Sequence, residues 1–350
     1  MDKPHVSILI PTFNRAYLLD YVLTSLTNQT YKNFEVIVVM KPSGDGTENI
    51  IKKHQESLKL KMIFQHKGTM VEALNLGFKN CSGDVLCFID DDAVPALDWV
   101  QAIVETYALQ NVGGVAGNVI PALLNGKRVI PVKGRPSEII PDSEPFMATL
   151  GMKLWSCPLK GLENNLVYIS KAGMVDYNFK MANRAKCQIT KSLLGMGANM
   201  SVLSKALEDF RFSQSWLLGL SNEQFLGWHL WSNGYRLFFN PKIKVYHIHH
   251  GQTLSRDISE TRKEMLRWTE NNLLFYRLYG IEPELSIMHR VTWLIFDTLF
   301  NIKKICVDGK VSDINRIKSK LLSESIGLKW LLSRRIGSDY SPLADLKKLE

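Results

Sequence analysis

Three adjacent carboxylates, Asp90, Asp91 and Asp92, directly follow an apolar run at residues 85–89. Carboxylates so close together repel one another, so the cluster is costly unless a cation or several donors neutralise it. Oxygen ligands suit a hard divalent ion such as Mg²⁺ or Mn²⁺, held jointly with substrate phosphates. An acidic turn that begins a helix near residue 98 is the alternative. The cluster predicts a metal site that serves a phosphate-containing substrate.

The segments around this cluster alternate between strand and helix patterns. Thr69-x-x-Glu72 is a capping box that opens one of the helices. Strands that alternate with helices predict an α/β fold with a doubly wound, mainly parallel sheet flanked by helices. Such sheets bind ligands at the carboxyl ends of their strands, where the aspartates lie. The predicted strands are residues 6–10 (ended by Pro11), 34–39, 62–64 and 85–89, and helices are predicted around residues 18–26 and from about residue 47.

Regular patterning weakens over residues 121–191, which we interpret as loops and short elements that lie over the sheet. It resumes with a helix that begins at the capping box Ser221-x-x-Gln224 and ends near Gly234, where glycine can adopt the left-handed cap. Two further strands are predicted at residues 236–239 and 243–246, separated by Asn240-Pro241.

A helical pattern replaces the α/β pattern from about residue 251, so we predict a domain over residues 1–250 and a helical extension over residues 251–350. Two apolar stripes at helical spacing lie next to lysines and arginines, which is typical of helices on an anionic membrane surface. Packing on the first domain or on a second subunit is the alternative. The stripes are Met288, Val291, Ile295, Leu299, Ile302 and Ile314, Ile317, Leu321, Leu328, Leu332; the cations are Lys303, Lys304, Lys318, Lys320, Arg334, Arg335.

The composition is that of a globular protein: 350 residues, 45% hydrophobic, with a formal net charge of +9. The charge favours an anionic partner, but charge alone does not predict nucleic-acid binding. Five scattered cysteines with no C-x-x-C pair indicate neither a zinc site nor a disulfide framework. No secretory signal or spanning segment is visible. We therefore expect a cytoplasmic protein, peripheral at most on the membrane.

Several motifs in order resemble glycosyltransferase family 2, of the GT-A fold, over roughly residues 4–250. They are Val-Ser-Ile-Leu-Ile-Pro-Thr-Phe-Asn-Arg at 6–15, Phe-Ile-Asp-Asp-Asp at 88–92, and Gly-Tyr at 234–235 followed by Val-Tyr-His at 245–247. The resemblance implies an inverting, metal-dependent transfer of sugar from a nucleoside-diphosphate sugar. It also implies roles for individual residues. Pro11, Thr12 and Arg15 would lie beside the nucleotide, Asp90, Asp91 and Asn199 would face the nucleotide-sugar, and Asp92 with His247 would hold the metal. His247 belongs to a cluster with His249 and His250, for which a loop of solvated or packed side chains is the alternative.

The chain departs from the family pattern at two places. Met40-Lys41 stands where the family has carboxylates that hold the base and ribose. Asp45 is assigned to the nucleotide in their place, with turn and helix capping as the alternative. Counting back from Gly-Tyr at 234–235 aligns Glu223 with the family's aspartate base. We assign Glu223 as the catalytic base, with a first-turn acid stabilised by the helix dipole as the alternative.

The predicted function is a glycosyltransferase that uses a nucleoside-diphosphate sugar donor and a glycan or lipid-linked acceptor, in polysaccharide, glycolipid or glycoprotein glycan synthesis. The alternative is a catalytically silent GT-A-fold protein that binds sugar or scaffolds an assembly. A dinucleotide oxidoreductase is excluded because no G-x-G-x-x-G follows the first strand.

Overall fold

The computed structural model describes residues 3–135, 137–140, 156–208, 210–212, 222–250, 274–308 and 311–335. The chain divides into two compact units that do not follow chain order. The first unit is Met1–Asp142, Asn178–Ser213 and Asn222–His250, and the second is Ser143–Tyr177, Gln214–Ser221 and Gly251–Glu350.

Within the described residues, strands and helices alternate over the first half of the chain, as predicted. The strands are β1 (Val6–Phe13), β2 (Phe34–Lys41), β3 (Leu60–Phe64), β4 (Val85–Ile89), β5 (Ala93–Pro95), β6 (Val112–Asn125), β7 (Arg128–Pro131), β8 (Val167–Ile169), β9 (Val175–Tyr177), β10 (Thr190–Lys191), β11 (Asn199–Leu203) and β12 (Arg236–Ile248). The helices are α1 (Ala16–Thr27), α2 (Thr47–His54), α3 (Met70–Phe78), α4 (Trp99–Tyr107), α5 (Phe179–Ala185), α6 (Asn222–Ser232), α7 (Ile287–Asp308) and α8 (Val311–Arg335).

The first unit is built on one sheet, in the order β10-β12-β6-β11-β4-β1-β2-β3, with β5 also pairing with β12 and β7 with β6. The predicted α/β class is confirmed, and the sheet contains both parallel and antiparallel pairs. Strands β1 to β4 run parallel, whereas β11 enters antiparallel between β4 and β6. Hydrophobic patterns give strand positions but not strand directions, so the sequence did not reveal this insertion.

Strands β1 and β12 run through positions where the sequence predicted a break. Strand β1 continues through Pro11, because beyond Leu9 it pairs only with β2, and an edge position tolerates the missing N–H. Strand β12 runs through Asn240-Pro241 as one strand with a register shift against β6. Strand β6 also continues to Asn125, into the stretch that the sequence suggested was mostly loops.

Local signals at two helices of the first unit agree with the structure. The predicted stripe of α1 is fully buried: Leu18, Leu19, Val22, Leu23 and Leu26. The capping box at α3 is present, with the Thr69 hydroxyl and the Glu72 carboxylate bound reciprocally to backbone N–H groups. Ser221, the first residue of the capping box predicted for α6, lies outside the described residues.

The second unit contains α7 and α8, which are joined by two ion pairs. Arg290 pairs with Glu324, and Lys320 pairs with Asp297. Lys320 is only 2% exposed, so it does not belong to the basic surface to which the sequence assigned it. None of the described helices has both the length and the apolar character needed to cross a bilayer.

Candidate active site

The carboxyl ends of β1 and β4 lie side by side, because the two strands pair in parallel from Val6 with Val85 to Leu9 with Phe88. This register brings the residues that follow each strand together. The Thr12 hydroxyl donates to Asp91 Oδ2 at 2.7 Å. Pro11 precedes it within β1 and is half-buried. The predicted first-strand motif and the aspartate cluster therefore form one site.

Arg15 is the cation that joins this motif to the cluster. Its Nη1 donates to Asp91 Oδ1 at 2.8 Å and to Asp92 Oδ2 at 2.9 Å. The side chain of Arg15 is only 15% exposed, and those of Asp91 and Asp92 are 5% and 7% exposed. Such charge-assisted bonds in a buried setting are stronger than neutral ones. Arg15 thus neutralises part of the charge that the sequence predicted to be costly.

The three aspartates differ in how readily they ionise. Burial raises the pKa of the Asp90 carboxyl to about 7, and the charge of Asp92 adds to this increase. Burial likewise raises the pKa of Asp91 to about 6, although the charge of Arg15 opposes it. Burial also opposes ionisation of Asp92, but contacts with His247, Arg15 and His250 outweigh it and lower its pKa to about 2. Of the three carboxylates, Asp92 therefore stays ionised to the lowest pH.

Strand β12 and the residues that follow it bring two histidines to Asp92. The Ile248 N–H donates to the Asp92 carbonyl at 2.8 Å, and His247 pairs with Ala93 across β5. His250 Nε2 lies 2.8 Å from Asp92 Oδ2, and His247 Nε2 lies 3.4 Å from Asp92 Oδ1. Asp92 Oδ2 is thus hydrogen-bonded, whereas Oδ1 has only the more distant His247 ring nearby.

A further carboxylate holds His247 from its other side. Glu138 Oε2 lies 3.1 Å from His247 Nδ1, and Glu138 Oε1 lies 3.0 Å from His249 Nε2. Although burial opposes it, contacts with Asp92 and Glu138 raise the pKa of His247 to about 10. A carboxylate on the second ring nitrogen is the usual partner of a metal-binding histidine, because it fixes the ring orientation.

The donor set fits a divalent cation. One possible ligand atom from each of Asp90, Asp92 and His247 lies within 4.8 Å of the others. Among the described residues, the buried Asp92 Oδ1 has no hydrogen-bond partner, and its nearest ionic neighbour is His247. Buried oxygens in folded proteins nearly always have a partner, and a bound cation would be one for this oxygen. Two carboxylates and one imidazole are suitable ligands for Mn²⁺ or Mg²⁺.

Asp45 lies beside the site, and two side-chain hydroxyls and a backbone N–H donate hydrogen bonds to its carboxylate. Its Oδ1 accepts from the hydroxyls of Ser43 and Thr47, each at 2.7 Å, and its Oδ2 accepts from the Ala16 N–H at 2.9 Å. Despite burial, these bonds lower the pKa of Asp45. Asp45 therefore ties the β2–α2 turn to the start of α1, which is the turn-and-capping alternative. Its contact with a nucleotide stays a prediction.

Asn199 lies at the start of β11. Its side chain has no exposed surface. The amide accepts from Trp99 Nε1 at 2.9 Å and donates to the carbonyls of Asn118 and Ile243 at 3.0 Å. These hydrogen bonds join β11 to β6, β12 and α4, and the contact of Asn199 with a donor sugar stays a prediction.

Glu223 occupies the first turn of α6, as predicted. It is partly buried, and its carboxylate accepts from Gln224 Nε2 at 3.3 Å. Burial raises the pKa of Glu223. The helix dipole at this first turn favours the ionised form, whereas burial opposes ionisation. A raised pKa brings a carboxylate nearer to the range in which general bases work.

Two residues of the site were missed or left without a role at the sequence level. Glu138 lies in a stretch with no periodic pattern, so nothing in the sequence tied it to a histidine more than a hundred residues away. His250 was visible as part of a histidine cluster, but only the fold shows that it reaches Asp92. At the end of β2, Lys41 lies 5.5 Å above the ring of Phe13, next to Thr12.

Comparison with known proteins shows where this architecture recurs. Residues 7–156 match the model of glycosyl transferase family 2. Glycosyltransferase AglE of Haloferax volcanii is 34% identical over 128 residues, which are 35% of this chain and 42% of that protein. A Methanococcus voltae enzyme, dolichyl N-acetyl-alpha-D-glucosaminyl phosphate 3-beta-D-2,3-diacetamido-2,3-dideoxy-beta-D-glucuronosyltransferase, is 25% identical over 68% of this chain and 65% of its own. The chain thus spans less than two thirds of the length of each.

A solved structure shows the same fold over the whole chain. The mannosyltransferase PcManGT from Pyrobaculum calidifontis, in complex with GDP-Man and Mn²⁺, superposes with a TM-score of 0.51 at 15% identity. The match covers 99% of this chain and 79% of that protein. The GT-A fold predicted from the sequence is therefore confirmed.

Proposed function

Because residues 7–156 match the model of glycosyl transferase family 2, we propose that this chain is a metal-dependent, inverting glycosyltransferase. It moves a sugar from a nucleoside-diphosphate sugar to an acceptor hydroxyl. The observation that carries the proposal is the joint presence of Asp90, Asp92 and His247 as a ligand set at the carboxyl edge of the sheet. The related Pyrobaculum enzyme was solved with GDP-Man and Mn²⁺, which supports both the donor class and the metal.

Each residue of the site has a task in this reaction. Asp90, Asp92 and His247 would hold a divalent ion, which would supply positive charge for the departing nucleoside diphosphate. Glu138 fixes the orientation of the His247 ring. Thr12 and Arg15 hold Asp91 in place and line the nucleotide side of the site.

Glu223 is the proposed base of the transfer. It takes the proton of the acceptor hydroxyl, whose oxygen attacks the anomeric carbon in line, and the bond to the nucleoside diphosphate breaks. No glycosyl-enzyme intermediate forms. The partial burial of Glu223 and its raised pKa support this role, because a base transfers protons efficiently when its pKa lies near the working pH.

A panel of nucleotide-sugars tests the donor class. The melting temperature of the full chain is measured with each donor, with and without Mn²⁺, because a ligand that binds the native state raises it. We expect one donor to stabilise the protein only when the ion is present. No shift with any donor would contradict the proposal. Stabilisation without any turnover would favour the catalytically silent, sugar-binding alternative.

The second unit is proposed to place the enzyme on an anionic membrane surface, where a lipid-linked acceptor would be found. The α7 stripe is solvent-exposed in the structure, from 72% for Met288 to 45% for Ile302. Leu321, Leu328 and Leu332 are about half exposed on α8. Lys303 and Lys318 are exposed on the same two helices. Exposed apolar stripes with neighbouring cations favour insertion at a lipid headgroup boundary.

Flotation with anionic liposomes tests the membrane proposal. Leu299→Glu places a charge in the exposed stripe, where Leu299 is 55% exposed, so binding should fall while the fold is kept. Leu109→Glu is the matched control, because Leu109 is 43% exposed in the first unit. Absence of binding, or equal binding by both variants, would reject the membrane role and leave the stripe to a second subunit.

A further inference from the structure

A cavity of about 690 Å³ opens in the first unit, beside β6 and β12. Its size is within the usual range for small-molecule sites. Asn118 and Ile120 of β6, Lys244 and Tyr246 of β12, and two cations outside these strands, Arg135 and Lys186, contribute to its lining. The proposed function gives this cavity no task.

The cavity is separate from the aspartate cluster, because the two lie on opposite faces of the same strands. Lys244 pairs with Asn118 and Tyr246 with Ile120 in the β12–β6 register. Successive side chains of a strand point to opposite faces. His247, next to Tyr246, points to the aspartate side and contacts Asp92.

One loop nevertheless serves both places. Ser137 and Ile140 line the cavity, and Glu138 between them holds His247 and His249. The Glu138 N–H donates to the Val119 carbonyl at 2.8 Å, which anchors the loop to β6. A ligand in the cavity would therefore lie next to the loop that orients a proposed metal ligand.

The chemistry of the lining indicates what the cavity binds. Arg135, Lys186 and Lys244 contribute three positive charges, and no acidic side chain is among the described residues that line it. Asn118 is only 9% exposed, and its Oδ1 accepts no hydrogen bond within the described chain. A buried acceptor without a partner calls for a donor from a ligand. The lining also contains Tyr246, whose ring is amphipathic and therefore suited to a binding site.

We propose that this cavity binds a negatively charged saccharide, a sugar that carries a carboxylate or a phosphate, as a part of the acceptor remote from the reacting hydroxyl. The cations meet the negative charge, and a sugar hydroxyl donates to Asn118 Oδ1. The identification of this saccharide as part of the acceptor rests on the proposed transferase function. The binding itself requires neither donor nor metal.

The test is binding of simple sugars to the full chain in the presence of a chelator. Glucuronic acid, glucose 6-phosphate and uncharged glucose are compared by saturation-transfer NMR. At least one anionic sugar is expected to bind about tenfold or more tightly than glucose. Lys244→Glu should weaken that binding by about tenfold or more, because it places a like charge at the ligand. Lys186→Glu provides a second reading should the first variant fail to fold.

The control is Lys242→Glu, which makes the same change two residues earlier on the same strand. Lys242 is exposed and does not line the cavity, so binding should be unchanged. Tighter binding of glucuronic acid than of glucose 6-phosphate assigns a carboxylate, and the reverse assigns a phosphate.

Three results would overturn the proposal: glucose binding as tightly as both anionic sugars, equal loss of binding in Lys244→Glu and Lys242→Glu, or loss of sugar binding in Asp92→Asn. UDP is included as a further probe. If UDP binds without metal and Lys244→Glu abolishes this, the cavity is a nucleotide site and not an acceptor site. Nucleotide-sugar turnover is measured separately, so failure of the transferase proposal is distinguishable from failure of this one.

Discussion

Asp92→Asn keeps the shape of the side chain and removes the firmest negative charge of the cluster. Asp92 is 5% exposed, and Oδ2 meets Arg15 at 2.9 Å and His250 at 2.8 Å. Hydrogen bonds to charged groups contribute about 1.5–3 kcal/mol each. Arg15 keeps its bond to Asp91, and relief of the repulsion that raises the pKa of Asp90 offsets part of the loss. We therefore expect the metal-free variant to lose no more than about 3 kcal/mol of unfolding free energy.

The larger difference should come with the ion. At a metal concentration 100 times its Kd, binding stabilises the native state by about 2.7 kcal/mol. For a domain of this size, that gain raises the melting temperature by roughly 5–10 °C. The amide that replaces the Asp92 carboxylate supplies no charge, so the variant should gain little or nothing from the same concentration.

The assay is thermal unfolding followed by circular dichroism, first with a chelator and then with Mg²⁺ or Mn²⁺. Asp98→Asn is the matched control, because Asp98 is exposed and its side chain makes no capping bond to α4. The control should keep the full metal-dependent rise. If wild type shows no rise, or if Asp92→Asn keeps it, the assignment of this cluster as a metal site is wrong.

Three further substitutions test other parts of the account. Glu223→Gln should lower sugar transfer by about 10²–10⁴-fold without lowering donor affinity, because it removes only the base; steady-state kinetics and donor titration measure both. Glu35→Gln should cost about 1–3 kcal/mol at neutral pH. Burial opposes ionisation of Glu35, but hydrogen bonds from Ser82 and Ser7 lower its pKa from 4.5. The stability that these bonds contribute is therefore present above that pH and lost as pH falls below it. Denaturant melts of both proteins at neutral pH and near pH 3 measure this loss. Gly117→Ala would place Cβ 2.3 Å from an amide nitrogen and 2.5 Å from a carbonyl oxygen, so it should lower the melting temperature, whereas Gly197→Ala, with open space, should not.

The sequence predicted those parts of the site that follow directly after a buried strand. Asp90 to Asp92 after β4, and Thr12 and Arg15 at the end of β1 and the start of α1, are brought together because parallel strands end at a common edge. The polarity change at the end of an apolar run is a local signal, so it could be read without the fold.

Long-range partners could not be predicted in the same way. Glu138 reaches His247 only because its loop hydrogen bonds to β6, which pairs with β12. Asn199 matched a motif, but its burial and its hydrogen bonds to Trp99 and to two carbonyls far away in the chain were not visible in that motif. Burial is a property of the whole fold, and short motifs do not encode it.

The most direct test of the central claim is release of nucleoside diphosphate from nucleotide-sugars by the purified full chain, with Mn²⁺ and with a chelator. The account predicts release from at least one donor that depends on the ion, is abolished in Asp92→Asn, and persists in Asp98→Asn. Release that is equally fast with the chelator, or unchanged in Asp92→Asn, would contradict it.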